Sequence, residues 1–141
     1  MRRKKEFLMF DHPTAAELIA AARMQLEQQV IPSIAEPRLR FQTLVAANVL
    51  AIVERELVDG EAHLAAVWKR AAELQGDAAD QPAGETLRAA VASQIGRLCE
   101  DIRAGLYDDR LRHQALLAHL RRTAEQELAV ANPRFLERMQ G

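Results

Sequence analysis

Four polar side chains stand where an apolar pattern would turn them inward: Asn48, Arg55, Asp59 and His113. With Phe41 set at zero and about 100° allowed per residue, Val45, Asn48 and Ile52 fall within roughly 40° of it, which puts Asn48 mid-way along an apolar helix face. An unpartnered amide buried there would cost on the order of 1–3 kcal/mol, so it needs a hydrogen-bond partner. Arg55 and Asp59 continue the row and, four residues apart, can pair with each other. Two readings follow. Asn48 fixes helix register beside a rim ion pair, or Arg55 binds a carboxylate or phosphate that Asn48 orients.

The second locus lies near the chain's end. Taking Leu117 as centre, His113, Leu120, Arg121, Ala124, Leu128 and Ala131 lie within about 60° of it. His113 is then a core-lining imidazole or an acid–base group, while His119 points away, toward solvent. Arg121 and Glu125 form a surface i,i+4 pair. Trp68, the one tryptophan, is either core or a contact with a second subunit. Cys99 reads as a small apolar group.

Much chemistry is excluded. No histidine has a glutamate three residues before it, and no two histidines stand four apart, so the common helical iron and zinc signatures are missing. There is no Gly-rich phosphate loop and no Gly-x-Ser-x-Gly; Ser33 and Ser93 are the only serines, and Lys69 is the sole lysine after residue 5. No catalytic residue, metal or cofactor is expected. A single cysteine allows no internal disulfide, so an intracellular, cytoplasmic setting is expected.

These side chains must be positioned by helices. Of the 141 residues, 49% are apolar and 4% aromatic, a diet rich in Ala, Leu, Arg and Glu that favours helix. The break pattern predicts five helical segments: about 15–30, opened by a Thr14/Glu17 capping box and stopped at Pro32; about 38–59, between Pro37 and a Gly60 cap; about 61–75, ending at Gly76; about 85–104, ending at Gly105; and about 110–131, ending at a left-handed Asn132 before Pro133. A short helical turn follows in 134–140. No strand pattern competes. The expected fold is an all-α, five-helix antiparallel bundle, one domain over 12–141 behind a flexible basic arm at 1–11.

Charge argues against nucleic acid. Arg2, Arg3, Lys4 and Lys5 are four of 19 basic residues, so from residue 6 onward 15 basic side chains face 20 acidic ones. No apolar run approaches the roughly 20 residues of a membrane span. A membrane role for the arm would be marginal.

The strings His12-Pro-Thr-Ala-Ala-Glu-Leu18, Leu44-Val-Ala-Ala-Asn-Val-Leu-Ala-Ile-Val-Glu-Arg-Glu-Leu57, Ile102-Arg-Ala-Gly105, Leu117-Ala-His-Leu-Arg121 and Leu128-Ala-Val-Ala-Asn-Pro-Arg134 resemble a bacterial family of small helical proteins carrying a domain-of-unknown-function label. The likeness runs from His12 to about Phe135. It implies a genomic setting beside phosphotransferases of the aminoglycoside-phosphotransferase type and near acyl-CoA dehydrogenases, and it carries over no catalytic residue. It marks Asn48, Glu54, Arg55, Asn132 and Arg134 for testing. Glu127 departs from the lysine expected before the closing leucine. The resulting expectation is a helical accessory module, homodimeric, docking on a phosphotransferase-like or acyl-CoA dehydrogenase enzyme. Its alternative is a carboxylate- or phosphate-binding protein with a pocket around Asn48 and Arg55.

Overall fold

The computed structural model describes residues 12–77 and 80–141, all helix and connecting loop with no strand among them. The basic arm expected at 1–11 lies outside the described residues. The fold is an all-α bundle. Its elements are α1 (Ala15–Gln25), a π turn (Leu26–Val30), α2 (Ile31–Ser33), α3 (Pro37–Gln75), α4 (Glu85–Arg103), α5 (Arg110–Ala131) and α6 (Pro133–Gln140).

Several ends follow from local chemistry. Thr14 Oγ1 accepts the Glu17 N–H at 3.2 Å while the Glu17 carboxylate accepts the Thr14 N–H at 2.7 Å, closing the expected capping box. The Thr14 N–H and then His12 hold the Glu17 carboxyl below its ordinary range. Pro32 delays the helix end instead of causing it. The Ile31 N–H reaches back to the Leu26 carbonyl, a π step, and Pro32 then sits in the first turn of α2, where it has no donor to lose. Glu36 caps α3 by accepting the Arg38 N–H at 2.9 Å.

Gly60 is not a cap. It is buried and α3 runs through it to Gln75, because one interior glycine costs only about 1 kcal/mol, which a long helix readily offsets. The true stop is Gly76, at φ +68°, with Asp77 N–H bonded to the Ala72 carbonyl at 2.8 Å and Gly76 N–H to Glu73 at 3.3 Å. Gly105, at φ +79°, repeats that arrangement with Asp101 and Ile102. Asn132 is extended, at φ −152°, and not left-handed; its side chain accepts the Phe135 N–H and opens α6.

The two kinds of glycine predict opposite responses to a methyl group. Gly105→Ala forces a positive φ on a side chain whose Cβ would meet Asp108 Oδ2 at 2.9 Å. A loss of about 1–2 kcal/mol is expected. Gly96, inside α4 with open space beside it, should gain about 0.5–1 kcal/mol as alanine. Urea denaturation of the two variants measures both.

Contacts cluster into two compact units, Met1–Val58 and Asp59–Gly141, the division falling within α3. Among the described residues of the first unit, Ile31 and Ala47 are the buried apolar ones. The inward side of α3 there carries Thr43, Ala47, Leu50 and Glu54, and the Arg23 guanidinium of α1 bonds Glu54 at 2.9 Å.

The second unit is built on two clusters. Trp68, Ala72, Leu87 and Val91 form one; Leu98, Tyr107 and Leu116, with Leu74, form the other. Gln75 Nε2 donates to the Gln94 carbonyl at 3.4 Å, and Arg97 to Asp77 at 3.2 Å. Later residues of α4 thus meet later residues of α3, so the two run in the same direction rather than antiparallel. The nine residues 76–84 can span up to about 30 Å, enough to carry the chain back along α3. α5 does run against α3: Leu116 clusters with Leu74, while Gln126 meets Arg70.

Candidate functional site

The residues singled out by spacing are dispersed. Asn48 is exposed, contrary to the inward orientation expected for it, because α3 buries the Ala47 side instead. Arg55 is half-buried and Asp59 exposed. His113 is exposed rather than core-lining, and His119, expected in solvent, is 7% exposed. Trp68 is buried in the core of the second unit, the first of the two places its sequence setting allowed. Cys99 is half-buried, and Arg121 pairs with Glu125 at 3.0 Å.

The outward side of the first half of α3 is an apolar stripe. Phe41 is 66% exposed, and Leu44, Val45 and Val49 are exposed around Asn48. Arg38 precedes the stripe and Glu56 follows it. Phe41, Val45 and Asn48 share one face as expected, but that face points outward, and Ile52, placed with them, is half-buried. On the opposite side Arg23 clasps both Glu54 and Glu27 at 2.9 Å, and Glu54 above all holds its guanidinium protonated.

In the second unit, α3 and α5 leave a groove of about 360 Å³ lined by Arg70, Glu73, Leu74, Ala115, His119 and Arg122. Arg70 Nη2 donates to Thr123 Oγ1 at 3.3 Å and Gln126 Oε1 at 2.5 Å. Its buried Nε has no partner, and neither does His119 Nδ1. Burial, then the neighbouring Arg122, makes Arg70 easier to deprotonate; burial, then Arg70, does the same for His119. The unfolded chain therefore takes up a proton before His119 does in the fold. Stability should fall as pH drops through the ordinary imidazole range, and His119→Gln should flatten that part of the denaturation-versus-pH profile.

The family model described as a domain of unknown function, DUF6285, matches residues 32–135. The chain belongs to the DUF6285 family. No curated protein and no solved structure matches it. The DUF6285 match ends at Phe135, where the resemblance was read to end, but begins at Pro32 instead of His12. It takes in α3, α4 and α5, and hence both the stripe and the groove. Among the described residues of this DUF6285 chain, no cluster of three His, Cys, Asp or Glu side chains is placed for a metal ion, and no helix is long and apolar enough to cross a membrane.

Sequence reasoning missed the groove because its face on α5 is mostly polar. Leu116, His119, Thr123, Gln126 and Val130 follow one another at spacings of three and four and are all buried or half-buried. That spacing was the available signal. Counting apolar residues favours the neighbouring phase, through Leu117 and Leu120.

Proposed function

We propose that this protein is a helical interaction module that acts through the exposed stripe on the first half of α3, and that the stripe is occupied by a second copy of the chain. The exposure of Phe41, Leu44, Val45 and Val49 along one helix face carries the reading. A contiguous apolar patch on a soluble helix marks a docking surface.

Charge selects the occupant. Arg38 and Glu56 bracket the stripe, and their midpoint lies beside Asn48. A two-fold axis there sets each Arg38 against the other copy's Glu56, whereas a parallel pairing would oppose like charges at both ends. It also brings the two Asn48 amides together, and an amide can both donate to and accept from its twin. Such a pair fixes register in helical interfaces. The register role suggested by the sequence for Asn48 is then exercised between copies.

Size-exclusion chromatography with light scattering tests this. The expected mass is twice the 15.8 kDa of the chain. A monomer at micromolar concentration would overturn self-association. Co-elution of that monomer with a purified aminoglycoside-phosphotransferase-type kinase or acyl-CoA dehydrogenase would give the stripe to an enzyme partner instead.

A further inference from the structure

We propose that the groove between α3 and α5 is an oxyanion-binding site, in which Arg70 and Arg122 hold a carboxylate or phosphate group beside His119. It is independent of the α3 stripe and of any self-association.

The argument starts from charge. Arg70 is half-buried, and its Nη2 is held by Thr123 and Gln126, both neutral. Those bonds fix the guanidinium in place without neutralising it. Arg122 lines the same groove and acts on Arg70 as a like charge. Two cations side by side at a partly desolvated place are costly unless a counter-charge completes them.

Glu73 lines the groove and attracts Arg70, yet this does not outweigh burial and the neighbouring Arg122. Glu73 makes no ion-pair contact within 4 Å with either arginine among the described residues, and Glu125 nearby is engaged by Arg121 at 3.0 Å. The Arg70 Nε–H and the His119 Nδ1 nitrogen are buried without partners, and His119 is more than nine-tenths buried. Unpartnered buried nitrogens in a cleft beside an excess of positive charge are what an anion site requires. Guanidinium forks match the planar edge of a carboxylate and two oxygens of a phosphate. The groove volume, about 360 Å³, lies at the small end of ligand sites, which typically span about 300–1,000 Å³.

The test is an NMR titration of the His119 ring in the full chain, with inorganic phosphate in one arm and succinate in another, at ionic strength held constant with sodium chloride. A saturable shift is expected in at least one arm, and the responding arm identifies the anion class. The midpoint of the His119 pH titration should rise in the presence of that anion, since a bound negative charge favours the imidazolium. Arg122→Ala removes an exposed side chain, so circular dichroism should be unchanged while binding weakens tenfold or more. A response in both arms that never saturates, or unaltered binding in Arg122→Ala, would overturn the site.

Discussion

Replacing Val45 and Val49 together by glutamate should leave a monomer with the helicity and thermal stability of the parent chain. Both valines are exposed within their own unit, so the fold loses little, and surface changes of this kind usually stay within about 0.5 kcal/mol. Across a two-fold interface each change occurs twice. Each valine is already about half buried in its own unit (47% and 51% exposed), so the four side chains that would leave water on association are worth about 0.8 kcal/mol apiece. The loss of about 3 kcal/mol corresponds to a dissociation constant raised on the order of 10²-fold, before the added charges repel one another. Light scattering at micromolar concentration reads that directly, and an unchanged mass would sink the interface. The charge pattern offers an independent control. Arg38→Glu alone should weaken the dimer by opposing like charges, and adding Glu56→Arg should restore it. A purely apolar, orientation-free association would not show that rescue.

How much of this molecule was legible depended on whether the governing interactions were local. The Thr14 capping box, Pro37 at the start of α3 and the left-handed Gly105 all follow from chemistry within a few residues, and the structure has each of them. Gly60 misled because a glycine reports only that a stop is cheap, while the helix continues if its other residues favour it. The direction of α4 relative to α3 was equally out of reach. Nine connecting residues permit a tight antiparallel return or a longer crossover, and only packing of Leu87 and Val91 against Trp68 and Ala72 decides between them. The first half of α3 is apolar on two sides, so periodicity alone could not say which one another helix would cover. Asn48 was placed on the correct face, and that face is the one left open.

The sharpest test of phase is a pair of adjacent leucines. Leu116 is 6% exposed and clusters with Leu98 and Tyr107, whereas Leu117 is 52% exposed. Leu116→Ala opens a cavity in that cluster, and buried leucine truncations cost about 2–5 kcal/mol. Leu117→Ala removes little buried area and should cost less than about 0.5 kcal/mol, alanine being the better helix former. Urea denaturation monitored at 222 nm separates the two, since the expected gap is several times the error of such fits. Equal losses would return α5 to the phase centred on Leu117, with His113 inward and His119 outside. That result would also dismantle the groove, because Arg70 finds Thr123 and Gln126 only when α5 presents the Leu116–His119 side. The packing of one leucine and the chemistry of the anion site therefore depend on the same 100° rotation about a helix axis.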